Sequence, residues 1–111
     1  MAPTVWYHVR DLDAARRFYC DTLGFEETEV DEGERWSHLR HGEMEIGLAE
    51  GAPQADGPVA HVDVADVKAE ADRLRAAGVD VGVVVEIPQG EMRLVDVFDP
   101  DGNRIQLAQE L

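Results

Sequence analysis

Seven side chains carry the chemistry this chain could perform: Trp6, His8, Trp36, Glu45, His61, Asp63 and Gln106. Histidine titrates nearest to neutral pH, and an imidazole oriented by a carboxylate is the usual form of a general base. His8, His61 and Asp63 are therefore the candidates for proton transfer. A histidine hydrogen-bonded within a polar pocket explains the same residues without catalysis. Trp6 and Trp36 are two of only seven aromatic residues. An exposed indole beside carboxylates suits a flat, partly cationic molecule, with stacking or cation–π contact worth roughly 0.5–2 kcal/mol per ring. For Trp36, packing at a subunit interface fits equally well. His38 and His41 flank a turn and are expected to be solvated.

Ten Lys plus Arg face 24 Asp plus Glu, a formal net charge of −14. A field of that sign repels phosphate backbones, so nucleic acid is a poor partner and a cationic ligand a suitable one. The composition also fits a GC-rich genome with no functional cause, since Lys68 is the single lysine while Ala, Val, Asp, Glu and Gly abound. Glu26, Glu27, Glu29, Asp31, Glu32 and Glu34 read as a solvated strand edge and loop, with guidance of a cationic ligand as the alternative. The 111 residues suffice for one domain with a modest core. A single Cys20 excludes an intrachain disulfide and reads as a small buried hydrophobe. No apolar run approaches the roughly 18 residues of a membrane span, and the start lacks the pattern of a signal peptide, so the expected location is the cytoplasm. Phosphate-binding Gly-rich loops, Gly-x-Ser-x-Gly elbows and Cys-x-x-Cys pairs are absent from the sequence.

The elements that must position these groups follow from periodicity. Residues 4–9 alternate as a strand, with Val5, Tyr7 and Val9 on the helix-covered face and Thr4, Trp6 and His8 on the other. Asp11 is a good N-cap. Leu12, Ala15, Phe18, Tyr19, Thr22 and Leu23 then follow at helical spacing, and Gly24 suits the exit. Strands are expected over 25–30, 35–40 and 43–49. Trp36, His38 and Arg40 share a face, as do Glu43, Glu45 and Gly47. Residues 50–58 form a linker rich in Gly and Pro. The pattern then repeats: a strand over 59–64, the cap Asp66, a helix over 67–77, Gly78, and strands over 79–87, 92–98 and 104–108. Aligning Asp11 with Asp66 gives an offset of 55 and two βαβββ modules, at 1–49 and 59–111. Neither module can cover its own sheet face, so the two must pair in an α+β fold.

Two segments carry a family resemblance. The first is Phe98-Asp99-Pro100-Asp101-Gly102-Asn103-Arg104-Ile105-Gln106-Leu107, a tight reversal between antiparallel strands. The second runs from His8 through the capping Asp11 and its helix to Leu23-Gly24-Phe25. Together they resemble the vicinal oxygen chelate superfamily, which groups glyoxalase I, bleomycin-resistance proteins and extradiol dioxygenases. The resemblance covers nearly the whole chain. It implies a curved mixed sheet with helices outside, a ligand cleft on the concave face, and a homodimer.

Metal-dependent members draw His and Glu ligands from four equivalent strand positions, which fall here on Thr4, Val59, Gly47 and Gln106. Val and Gly cannot bind a divalent cation and Thr binds it weakly. The expectation is therefore a protein without metal or other cofactor. It would bind a small aromatic or cationic molecule as antibiotic-sequestering members do, through Trp6, His8, Trp36, Glu45, His61, Asp63 and Gln106. Two alternatives stay open. One is a metal-free isomerase or lyase with His8 or His61 as base. The other is a glyoxalase- or dioxygenase-type enzyme whose metal is held by Glu45, His61 and Gln106. Pro88-Gln89-Gly90 is read as a loop at the lip of the cleft.

Overall fold

The computed structural model describes residues 5–87 and 90–111 of the chain. Thr4 and most of the proposed lip, Pro88 and Gln89, lie outside the described residues. Module one contains β1 (Val5–Val9), α1 (Leu12–Arg17), β2 (Glu26–Asp31), β3 (Trp36–His41) and β4 (Met44–Glu50). Module two contains β5 (Ala60–Asp63), α2 (Val67–Ala76), β6 (Asp80–Val81), β7 (Val85–Glu86), β8 (Met92–Phe98) and β9 (Arg104–Glu110). Each module builds one mixed sheet, in the orders β1-β4-β3-β2 and β5-β9-β8-β6, with β7 also on β8. The fold is α+β, two short helices on two mixed sheets, as the periodicity implied.

The internal repeat is visible in register and in capping. β1 runs parallel to β4 with Val5 beside Ile46, and β5 runs parallel to β9 with Ala60 beside Ile105. Asp11 and Asp66 accept from the N–H groups of Ala14 and Ala69, at 3.1 and 3.0 Å. A second helix N–H in each module is met by the end of its last strand. Leu12 donates to Glu50 Oε2 and Val67 to Gln109 Oε1, both at 3.0 Å. These bonds satisfy the donors that a helix start leaves unpaired and pin each helix to its own sheet.

Two elements differ from the sequence reading. The strand expected over 79–87 is broken into β6 and β7. Val81 faces Val97 and Val85 faces Leu94, so four steps on one side oppose three on the other. That is a bulge with one extra residue. Gly82 sits inside it, donating to Asp96 O at 2.8 Å, and a Cβ there would stand 3.3 Å from that oxygen. The run Val83-Val84-Val85 has no alternation, so its pattern hid the break. The first helix also changes pitch, becoming a π-helical turn over Phe18–Thr22 closed by Leu23 N–H to Phe18 O at 3.1 Å. That turn buries Tyr19 completely. Among the described residues no helix is long and apolar enough to cross a membrane.

The core is continuous across both modules, running from Tyr7, Val9, Leu12, Tyr19 and Ile46 to Val62, Leu74, Val97 and Ile105. Polar ties cross it. Tyr7 donates to Arg104 O at 2.6 Å and accepts from Ala60 N–H at 2.7 Å. Tyr19 donates to Asp99 Oδ2 at 2.8 Å, and Asn103 Nδ2 donates to His8 O at 3.0 Å. Asp99 is 4% exposed, yet its oxygens also accept from Asp101 N–H, Asn103 N–H and Asn103 Nδ2. A buried carboxylate met by this many donors is satisfied without a counter-ion.

Burial pushes the Tyr7 phenol from 10.0 up to about 12, and burial beside Asp99 raises Tyr19 as well. A raised folded-state value leaves stability intact below pH 10 and removes it as pH climbs through the folded pKa. The rise at Tyr7 corresponds to about 2–3 kcal/mol. Urea unfolding should therefore show stability falling between pH 10 and 12, with a shallower fall in Tyr7→Phe. An unchanged slope in that variant would remove Tyr7 as the cause.

Candidate functional site

Strand alternation puts the helix-covered face of each sheet in the core and leaves the other face open. Two rows of side chains cross these open faces at equivalent places in the repeat. In module one the row is His38, Gly47 and Trp6, on β3, β4 and β1. In module two it is Asp96, Gln106 and His61, on β8, β9 and β5. One row is aromatic and the other polar.

Gly47 explains the first row. A Cβ at this position would stand within 2.6 Å of three indole carbons of Trp6, so the ring lies flat on the bare backbone of β4. The indole also meets Trp36 edge-on at 6.4 Å between centroids and His38 at 5.0 Å. Trp36 lies 5.1 Å from His38. The three rings form one contiguous aromatic wall, and Trp6 keeps 40% of its surface exposed. His38 was expected in solvent. Instead it is half-buried beside both indoles, and its Nε2 is enclosed without a partner. The signal was present in the sequence, because His38 alternates with Ser37 and shares the face of Trp36. His41 likewise packs edge-on against Phe25, at 5.2 Å.

In the second row His61 Nδ1 lies 3.1 Å from Gln106 Oε1, to which the imidazole donates in its Nδ1-protonated tautomer. His61 Nε2 lies 3.6 Å from Asp63 Oδ1, whose side chain is exposed. His61 and Asp63 border a cavity of about 410 Å³ shared with His41, Gly42, Glu43 and Met44. Asp63 thus stands beside His61, and among the described residues no hydrogen bond or ion pair joins it to His8. His8 Nδ1 is buried with no partner. Glu45 is exposed opposite Arg40 in the β3–β4 ladder. Sequence reasoning passed over Asp96. The buried Val95 and Val97 on either side of it were the signal that it shares the face of Gln106. Among the described residues no hydrogen bond, ion pair or ring contact links the aromatic row to the polar one.

The acids outnumber the cations 24 to 10, and most of the cations are already paired. Arg10, Arg16, Arg35, Arg40, Arg73, Arg75, Arg93 and Arg104 all stand in ion pairs. The acidic run on β2 is not wholly solvated either. Glu27 is half-buried, accepts from Arg16 Nε and from Ser37 Oγ, and is held below the usual carboxylate range chiefly by Arg16. Cys20 is half-buried, and desolvation raises its thiol.

The metal centre that the resemblance brings to mind does not fit these donors. Gly47 offers no ligand atom and is covered by an indole, Val59 offers none, and Gln106 is engaged with His61. Among the described residues no three His, Cys, Asp or Glu side chains converge as a metal site.

Residues 3–107 match the family model described as the Glyoxalase/Bleomycin resistance protein/Dioxygenase superfamily, and the chain belongs to that superfamily. The bleomycin-binding protein of Streptomyces verticillus, solved with copper(II)-bleomycin, is similar with a TM-score of 0.73 and 26% identity, over 96% of this chain and 93% of that one. The fosfomycin resistance protein FosX of Listeria monocytogenes gives a TM-score of 0.80 at 18% identity, over 100% and 93%. An integron cassette protein from the Halifax Harbour sewage metagenome gives 0.83 at 21%, over 98% and 99%. At these two lower identities the likeness is one of fold. No curated protein matches by sequence.

Because the indole rests on bare backbone, Gly47→Ala should evict it. The expected result is a folded protein with red-shifted tryptophan emission and a weakened near-ultraviolet band from the indole pair. An unchanged emission spectrum would show that Trp6 does not lie on Gly47.

Proposed function

We propose, with membership of the superfamily as the premise, that this protein binds a small aromatic or cationic molecule without a metal, in the manner of antibiotic-sequestering members. The observation that carries this reading is the indole of Trp6 on Gly47. It spends a strand position on a flat stacking surface where a coordinating side chain would otherwise project. Trp6 and Trp36 with His38 supply the wall, at roughly 0.5–2 kcal/mol per ring contact. His8, Glu45, His61, Asp63 and Gln106 supply polar groups on the open faces. The surplus of unpaired acids favours a cation and speeds its arrival at low salt. The bleomycin-binding relative, at 26% identity, supports a drug-like ligand of this kind. The protein would work in the cytoplasm as a homodimer.

A second reading is metal-free proton transfer at His61. Gln106 holds its Nδ1–H, leaving the Nε2 lone pair to accept a proton, with Asp63 placed to stabilise the imidazolium that results. This chemistry would serve an isomerase or lyase step.

A thermal-shift screen in EDTA over bleomycin, other antibiotics and aromatic cations tests the first reading. At least one compound should stabilise the protein saturably, and Trp6→Ala should weaken its binding about 2- to 30-fold. Stoichiometric metal in protein purified without chelator, required for ligand binding, would overturn it. For the ligand found, His61→Ala separates the readings: a binder loses affinity modestly, whereas a catalyst loses rate by about two to four powers of ten.

A further inference from the structure

Three buried side-chain polar atoms among the described residues lack a hydrogen-bond partner: His8 Nδ1, His38 Nε2 and Asp96 Oδ1. All three residues lie on the open faces of the two sheets, opposite the core. Two of them, His38 and Asp96, hold equivalent positions, cross-strand from Gly47 and Gln106. Native proteins rarely leave buried polar atoms unpaired, so these three residues are the ones on the open faces with hydrogen-bonding capacity to offer a ligand. They do not ask for the same group. An imidazole nitrogen accepts or donates according to its tautomer, whereas an ionised carboxylate oxygen only accepts. Asp96 therefore calls for a donor.

From this row we infer that Asp96 is a specificity-determining residue, and that it anchors a protonated nitrogen of the ligand, of the amidinium, guanidinium or primary ammonium class. The inference rests on the open faces being the ligand site. Gln106 Oε1, its in-register neighbour, is already occupied by His61 Nδ1 at 3.1 Å. The other oxygen, Asp96 Oδ2, lies 3.6 Å from Arg104 NH1, longer than a charge-assisted hydrogen bond of about 2.7–2.9 Å. Arg104 shares the face and is half exposed, so it can give way to a better donor. Gly82 adds room, since the bulge beside Asp96 carries no side chain there. Arg104 is thus a competitor for the same carboxylate, and removing it should strengthen binding of a cation. That sign is opposite to the one expected if Arg104 helped to build the site.

Calorimetric titration with benzamidinium and with benzamide, a neutral ligand of the same shape, tests this on the full chain at low salt. The wild-type protein should bind benzamidinium at least about tenfold tighter than benzamide. Asp96→Asn should bring the two within about threefold. Arg104→Gln, which keeps Asp96, should raise benzamidinium affinity several-fold. A preference that survives Asp96→Asn, or benzamidinium binding that stays level or falls in Arg104→Gln, overturns the inference and leaves the aromatic-binding reading standing. Saturation by neither compound also overturns the inference, while the aromatic-binding reading stands or falls on the thermal-shift screen.

Discussion

One buried carboxylate holds the two modules in place. Asp99, at the start of the turn between β8 and β9, gathers the turn's own N–H groups on one oxygen and the Tyr19 hydroxyl and Asn103 amide on the other. Asn103 in turn reaches the carbonyl of His8 on β1. The turn is therefore a bracket between the last hairpin of module two and the first strand and helix of module one. Tyr7 adds a second bracket, through Ala60 and Arg104. Apolar burial supplies most of the stability but has no direction. These hydrogen bonds fix how one module is set against the other, because a slip would leave buried polar groups unpaired.

With the core faces so fixed, what the two modules share and where they differ become legible on the open faces. The backbone repeats: the same caps, the same parallel first and last strands, and the same bond from strand end to helix start. The side chains do not. Where module one has His38, Gly47 and Trp6, module two has Asp96, Gln106 and His61. The absence of a side chain at Gly47 is what admits the indole, and the amide at Gln106 is what the imidazole of His61 meets. Core positions are constrained by packing density, whereas open-face positions are free to change chemistry without loss of fold. A shared fold among proteins with different ligands is the expected result.

Much of this could be read from local pattern. Alternation assigned Val5, Tyr7 and Val9 to the core, and the caps Asp11 and Asp66 marked both helix starts. The features that escaped were those with no local signature. The π-helical turn at Phe18–Thr22 looks like ordinary helix in sequence, and the three consecutive valines at 83–85 conceal a bulge. His38 was expected in solvent because it lies near a turn; its two aromatic neighbours come from β1 and from its own strand. Glu27 appeared to be one acid among six until Arg16 and Ser37 were found against it.

The sequence alone determined the elements, their faces, the repeat, and the poverty of metal donors at Gly47, Val59 and Gln106, because each depends on residue type or on neighbours a few positions away. Tertiary structure decided which rings touch, which buried atoms go without partners, and which carboxylate each arginine holds. Those outcomes depend on groups far apart in the chain, such as Asn103 and His8. Only the packing of one module against the other brings such groups within a hydrogen bond's length.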